Sequence, residues 1–353
     1  MNEKTALQSQ MFENRLQKRF RHLKKWAQRA DAGVFRLYDR DIPEIPLVLD
    51  FYGDCAHVHD AVISGALYKR PYEKDKDEEE QWLSAMKAGV SRSLGIETER
   101  VFLKQRERQR GSSQYEKLGS THFTKIVSEK GLSFKVNLSD YLDCGLFPDR
   151  RLLRAIVRGD AGGKKILNLF SYTGSFSVYA VAGGAVSTDS VDLSNTYLSW
   201  ARENFSLNGF SAQMISYEEE FFAGKDSPRE ERSINRLIRA DVLSFLDKAV
   251  KKGIKWDMII VDPPAFSNSK KMTDSFDLRR DLINLLEKAL ALLATGGKIF
   301  LSVNARSAAI KASELETELA VCSKNVRVID IESKIMDEDF RGRKAPKAFE
   351  IGL

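Results

Sequence analysis

Asn168-Leu169-Phe170-Ser171-Tyr172-Thr173-Gly174-Ser175-Phe176 is the stretch that decides how this chain folds. The run Lys165 to Leu169 reads as a strand and Phe176 to Ala182 as a helix, with a single glycine, Gly174, in the turn between them. In an open α/β sheet, ligands rest where strands end and helices begin. Dinucleotide sites there carry GxGxxG, whose glycines and helix N-terminus cradle a pyrophosphate. This turn offers Gly174 and no second glycine, which suits a ligand without phosphates. S-adenosylmethionine is one; a strand-to-helix turn with no ligand is the plainer alternative.

Three further strand ends follow. Ser190-Val191-Asp192-Leu193-Ser194 places an acid 18 residues beyond Gly174. That spacing allows Asp192 to accept from both hydroxyls of a ribose. Dinucleotide enzymes use an acid there too, so Asp192 does not separate the two cofactors, and Ser194 or Asn195 could serve as the helix cap instead. Asp241, in Arg239-Ala240-Asp241-Val242, could accept from an adenine amine or cap the helix that follows it. The sharpest signal is Met258-Ile259-Ile260-Val261 running into Asp262-Pro263-Pro264-Ala265-Phe266. Two prolines fix φ and remove two donors, so the chain leaves the sheet rigidly. Asp262 and the following carbonyls are then held toward a target base, with Phe266 offering a stacking face.

Strand candidates at Lys165–Leu169, Ala185–Val191, Met258–Val261, Lys298–Val303, Val326–Glu332 and Ala348–Ile351 alternate with helix candidates at Phe176–Ala182, Asn195–Asn208, Ala240–Lys252 and Leu278–Leu293. Such alternation predicts an α/β fold, a Rossmann-like doubly wound sheet. Upstream, Phe12, Leu16, Phe20, Leu23 and Ala27 share one helical face. Leu47–Phe51 and Ala56–Val58 read as a hairpin, Trp82, Met86 and Val90 as a helix, and Arg100–Leu103, Phe123–Ser128 and Leu132–Val136 as strands, the last two turned by Glu129, Lys130 and Gly131. The chain therefore divides into a basic helix over 1–33, a smaller α+β domain over 34–140 and a catalytic domain over 141–353.

With 42% hydrophobic and 30% charged residues, the 353-residue chain has ordinary globular composition. It contains no run of the roughly 18 apolar residues that a membrane span needs, and its polar start lacks the apolar core of a secretory signal. Cys55, Cys144 and Cys322 lie far apart, which disfavours a disulfide framework or a zinc site and implies a reduced, cytoplasmic protein. The formal charge of +6 is concentrated in two runs. Arg15, Lys18, Lys24 and Lys25 belong to the first, and Lys104, Arg106, Arg108 and Arg110 form the second. Solvated faces account for such runs; both lie outside the predicted catalytic domain, which favours contact with a phosphate backbone.

The stretch from Asn168 to Gly209 resembles large-subunit ribosomal RNA methyltransferases, and DPPAFSNSKKM at Asp262–Met272 looks like the RlmK type, the C-terminal half of bifunctional RlmKL proteins, which makes 7-methylguanosine in 23S ribosomal RNA. NRLQKRFRHLKKWAQR from Asn14, RLYDRDIPE from Arg36, RVFLKQRERQRG from Arg100, QYEKL from Gln114, VNLSDYLDCGLFPDRR from Val136 and DEDFRGR from Asp337 extend the likeness along almost the whole chain. The two-activity version carries an RNA-binding THUMP region and a guanine-N2 methyltransferase ahead of this segment; neither is found in these residues. The resemblance implies a class I S-adenosylmethionine-dependent methyltransferase acting on large-subunit ribosomal RNA, naked or in a precursor, with no metal. It implies Asp149 and Arg150 at the methionine end of the cofactor, Asp192 on the ribose, Asp241 on the adenine and Asp262 to Phe266 on the target base, with Asn168, Phe170, Ser171, Tyr172, Thr173, Gly174, Leu193, Ser194, Asn208 and Asp262 itself completing the cofactor site. An ordinary surface ion pair at a helix start is the plainer account of Asp149 and Arg150.

Methylation at cytosine carbon 5 requires a thiolate nucleophile. The segment Leu301-Ser302-Val303-Asn304-Ala305-Arg306, where related enzymes place it, has no cysteine. Guanine N7 already carries an in-plane lone pair and no proton, so positioning suffices. An exocyclic amine would also accept a DPP-type strand end. A nucleotide-dependent oxidoreductase on the same sheet and a non-catalytic RNA-binding protein are the competing readings.

Overall fold

The computed structural model describes residues 3–68, 75–105, 122–141, 143–223, 235–267, 275–304, 310–323, 325–343 and 346–353. Two units form: residues 1–148 with 338–341, and residues 149–337 with 342–353.

In the first unit, helix α1 (Glu3–Ala30) precedes strands β1 (Val34–Asp39), β2 (Leu47–Tyr52) and β3 (Val62–Leu67), helix α2 (Lys76–Leu94) and strands β4 (Val101–Gln105), β5 (Thr124–Glu129) and β6 (Leu132–Asn137). The expected apolar face of α1 is there: Phe12, Leu16, Leu23 and Ala27 are buried in the same core as Phe35, Phe51 and Trp82. The helix drawn as a separate 1–33 segment thus shares one core with the sheet β1-β2-β3-β4. Asp75 caps α2 by accepting from the backbone N–H groups of Asp77 and Glu78, and Gly95, at φ 68°, closes it. Lys130 and Gly131, both at positive φ, make the two-residue turn of the β5–β6 hairpin.

The expected Leu47–Phe51/Ala56–Val58 hairpin does not form. β2 pairs instead with β1 on one side and β3 on the other. Asp54 accepts from the Ala56 N–H at 2.7 Å and from the His57 ring at 3.0 Å, which curls that segment into a turn. Residues 338–341, expected within the catalytic segment, lie in this first unit, where the fully buried Asp339 accepts from the Arg36 N–H at 2.9 Å.

The second unit runs α3 (Arg151–Asp160), β7 (Lys165–Leu169), α4 (Ser175–Ala182), β8 (Ser187–Asp192), α5 (Asn195–Leu207), β9 (Gln213–Ile215), α6 (Glu218–Ala223), β10 (Asn235–Arg239), α7 (Val242–Lys252), β11 (Trp256–Val261), β12 (Phe266–Ser267), β13 (Phe276–Asp277), α8 (Leu278–Ala291), β14 (Leu293–Val303), α9 (Ala312–Leu319), β15 (Arg327–Asp330), α10 (Glu332–Ile335) and β16 (Lys347–Gly352). Its eight-stranded sheet has the order β15-β16-β14-β11-β7-β8-β10-β9. Only β16 is antiparallel to its neighbours. The doubly wound sheet expected from the alternation is therefore present.

Strand order reverses between β7 and β11, which puts the switch point at the ends of the two strands whose sequences stood out. Within this sheet, β9 and β10 are not legible as strands in the sequence. Leu237 and Ile238 of β10 are fully buried, but Arg236 and Arg239 interrupt the apolar run. β9 is only three residues long.

Candidate active site

Between Leu169 and Ser175 the backbone is unusual: Phe170 at φ 55°, Tyr172 at 50° and Gly174 at 73° all occupy the left-handed region. For the two aromatic residues that conformation is costly, on the order of 1 kcal/mol each, and persists only where neighbours impose it. Three hydrogen bonds do so: Ser171 N–H to the Val191 carbonyl at 3.0 Å, Tyr172 N–H to Asp192 Oδ2 at 2.9 Å, and Gly174 N–H to the Ser171 carbonyl at 2.8 Å. The turn after β7 is thereby stapled to the end of β8. Below it, the buried Asn168 donates to Ser177 Oγ at 2.9 Å, which pairs with Ser190 Oγ at 2.7 Å. The Asn168 amide thus braces β7, α4 and β8 from within the sheet.

Asp192 accepts on both oxygens, from Tyr172 N–H and, at 2.8 Å, from Ser194 N–H. Burial pushes its carboxyl up to about 6, against the lowering effect of the Ser194, Tyr172 and Leu193 backbone donors. Ser194 caps α5 by accepting from Tyr197 N–H. The Tyr172 ring meets Tyr197 edge-on at 4.5 Å, giving the loop an aromatic wall. Asp241 caps α7 through Oδ1, which accepts from Ser244 N–H at 3.0 Å; among the described residues Oδ2 has no partner.

Arg150 ties the remaining pieces together. From the 3-10 turn Pro148–Arg150 it donates to Asp149 Oδ2 at 2.5 Å and to Asp262 Oδ1 at 3.2 Å. Burial opposes its charge, yet the flanking carboxylates of Asp149 and Asp262 prevail and hold the guanidinium above its ordinary value. Pro263 is buried, and Leu278 N–H donates to the Ala265 carbonyl at 3.1 Å, so the Asp262–Phe266 segment is anchored to the start of α8. Phe266, 39% exposed, presents its ring to solvent.

Asp149 Oδ1 and Ser171 Oγ are buried here and lack a hydrogen-bond partner among the described residues. Such atoms cost free energy unless water or a ligand satisfies them. An acceptor carboxylate and a hydroxyl suit the ammonium and carboxylate of an amino acid, and Asp192 suits vicinal hydroxyls. A nucleoside that carries a free amino-acid group and a net positive charge fits this set, and S-adenosylmethionine is such a molecule.

Other expected residues lie elsewhere. Asn208 closes the far end of α5, about 20 Å of helix from Ser194, where its amide donates to the Asn204 carbonyl at 2.7 Å. Asn204, which the sequence reading passed over, does reach the loop: its Nδ2 donates to the Thr173 carbonyl at 2.9 Å, and both residues are fully buried. Its signal was a polar, poorly helix-forming residue on the inner face of a helix. A Cβ at Gly174 would lie 2.8 Å from Ala201 Cβ of α5. The glycine lets α5 pack against the turn.

Arg15 is spent on Asp41 at 2.7 Å, and Lys104 Nζ on the Tyr141 carbonyl, with Cys144 Sγ at 3.8 Å. Lys18 and Lys25 are exposed and Lys24 half-buried. Arg106, Arg108 and Arg110 lie outside the described residues. The open concavity of about 340 Å³ bounded by Glu219, Phe222, Ala223, Lys248, Lys251 and Lys252 is on the C-terminal half of α7 and includes none of the strand-end residues.

A doubly wound sheet with β16 reversed, an acid at the second strand end and a DPP turn at the switch point defines a class I methyltransferase. The model of the S-adenosylmethionine-dependent methyltransferase family matches residues 53–330. Ribosomal RNA large subunit methyltransferase K of Neisseria meningitidis serogroup B is 41% identical over 340 residues, 96% of this chain and 86% of that protein. The K/L protein of Stutzerimonas stutzeri is 43% identical over 332 residues, 94% of this chain but 40% of that one. Among solved structures, SMU.776 complexed with SAH shares the fold at TM-score 0.71 and 22% identity, covering 98% of this chain and 82% of that one. The chain belongs to the S-adenosylmethionine-dependent methyltransferases and, within them, to the family of large-subunit ribosomal RNA methyltransferase K.

Gly174→Ala meets both the positive φ and the Ala201 contact. It is expected to lower unfolding free energy by about 1–3 kcal/mol in denaturant titration. Unchanged stability would show that this close approach is dispensable.

Proposed function

We propose that this protein transfers a methyl group from S-adenosylmethionine to N7 of a guanine in large-subunit ribosomal RNA. The observation that carries the reading is 41% identity, over 96% of the chain, with a protein named for methylating that RNA. The site chemistry agrees with it. S-adenosylmethionine supplies an electrophilic methyl group, and a guanine N7 needs no proton removed. Asp149, Ser171 and Asp192 would hold the amino-acid and ribose ends of the cofactor, with Oδ2 of Asp241 left for the adenine amine. Asp262, held by Arg150, and the exposed Phe266 would position and stack on a base turned out of the RNA.

No cysteine is placed for covalent attack on a pyrimidine. Burial pushes the Cys55 thiol up to about 12, Cys144 is buried against Ser64 at 3.3 Å, and the Cys322 thiol donates to the Leu319 carbonyl at 3.0 Å. Carbon-5 methylation, kept open on sequence, therefore has no nucleophile.

The test is methyl transfer from labelled S-adenosylmethionine to ribosomal RNA from cells lacking this protein, followed by borohydride and aniline. Incorporated label with one cleavage in the large-subunit RNA is expected. Label without cleavage would place the methyl group on another atom, and no label on naked RNA or precursor particles would remove the reading.

Cofactor affinity should depend on pH. Hydroxyl donors favour the ionised form of Asp192, whose raised carboxyl titrates near 6 instead of 3.8. Protonation therefore begins closer to neutrality, and affinity for S-adenosylhomocysteine should fall about tenfold between about pH 7 and pH 5. Asp192→Ala should weaken binding and abolish that dependence, while Phe266→Ala should leave affinity intact. A pH-independent affinity in the wild type would contradict the assignment of Asp192.

A further inference from the structure

Helix α1 carries more cations than its folded surroundings neutralise, and the surplus is arranged. Arg15 is paired with Asp41 at 2.7 Å, Arg19 donates to the Asp339 carbonyl at 3.5 Å, and His22 meets Glu338 at 2.8 Å. Lys18, Arg21, Lys25 and Arg29 are exposed and have no acidic partner among the described residues. Their spacings of three, four and four keep them within about 80° of one another on a helix that turns about 100° per residue. The core residues Phe12, Leu16, Leu23 and Ala27 face the opposite way. The four cations thus form a straight outer stripe about 16 Å long.

We propose that this stripe of Lys18, Arg21, Lys25 and Arg29 is a docking surface for the phosphodiester backbone of the RNA substrate. The inference rests on the RNA reading above and refines it: Arg15 and Lys24, prominent in the sequence run, are not part of the surface. Charge complementarity selects the occupant. A row of cations at one-turn intervals matches a polyanion whose charges recur along a line, and phosphate contacts carry most sequence-independent affinity. An anionic membrane is a poorer match, because a surface-lying helix must offer its apolar face to lipid. Here that face is consumed by the core, with Phe12, Leu16 and Leu23 fully buried.

The test is RNA affinity as a function of salt, measured by filter binding with a large-subunit RNA fragment and without methyl transfer. Neutralising all four positions (Lys18→Gln, Arg21→Gln, Lys25→Gln, Arg29→Gln) should reduce the slope of log affinity against log salt by about 3, since each phosphate contact contributes about 0.7–0.9. The pair Lys18→Gln with Lys25→Gln should give about half that change. Arg15→Gln, which removes a cation already spent on Asp41, should leave the slope unchanged. The proposal is overturned if the fourfold variant keeps the wild-type slope or if Arg15→Gln flattens it as much as a stripe position does. It is equally overturned if neutralisation abolishes binding to phosphatidylserine vesicles while RNA binding persists. Because no methyl transfer is read, failure of the N7 assignment would show in the cleavage assay and leave this measurement standing.

Discussion

Arg150 sits between two carboxylates, Asp149 at 2.5 Å and Asp262 at 3.2 Å, and the candidate site depends on that bridge. One carboxylate precedes α3; the other ends β11 at the switch point of the sheet. Without the guanidinium, two largely buried carboxylates would be left without their cation, a costly arrangement. With it, Asp149 can keep Oδ1 unpartnered for a ligand, and Asp262 is fixed before the two prolines begin. Arginine is suited to the place because its planar fork can serve two acceptors at once and stays charged when buried.

The turn after β7 follows the same logic. Phe170 and Tyr172 adopt backbone angles that aromatic residues rarely tolerate, and hydrogen bonds to Val191 and Asp192 hold them there. Asp192 is itself strained electrostatically, since burial raises its carboxyl to about 6 while backbone donors pull it down. A site tensioned in this way before a ligand arrives needs little reorganisation when one binds.

Much of this was legible in the sequence because strand ends carry their own punctuation. The single glycine after Leu169, the acid after Val191 and the Pro-Pro after Asp262 each mark a strand that terminates at the sheet's ligand edge. β10 was not legible, since Arg236 and Arg239 break the apolar run; the reason for Arg236 appears only in three dimensions, where it pairs with the buried Asp189 at 2.6 Å. Asn204 was not legible for a similar reason. The residue beside Gly209 looked like the site residue, whereas the one a turn earlier braces the loop through the Thr173 carbonyl. The basic helix was visible as charge, but which cations are free depends on the placement of Asp41 and of residues 338–341, which local pattern does not encode.

We propose that Arg150 and Asp262 act as one unit in organising the cofactor site. A double-mutant cycle on S-adenosylhomocysteine affinity, by isothermal titration of the wild type, Arg150→Lys, Asp262→Asn and the double variant, tests it most directly. Each single variant should weaken binding, and the double should lose little more than the weaker-binding single, giving a coupling above about 1 kcal/mol. Losses that simply add, or affinities that do not change, would contradict it.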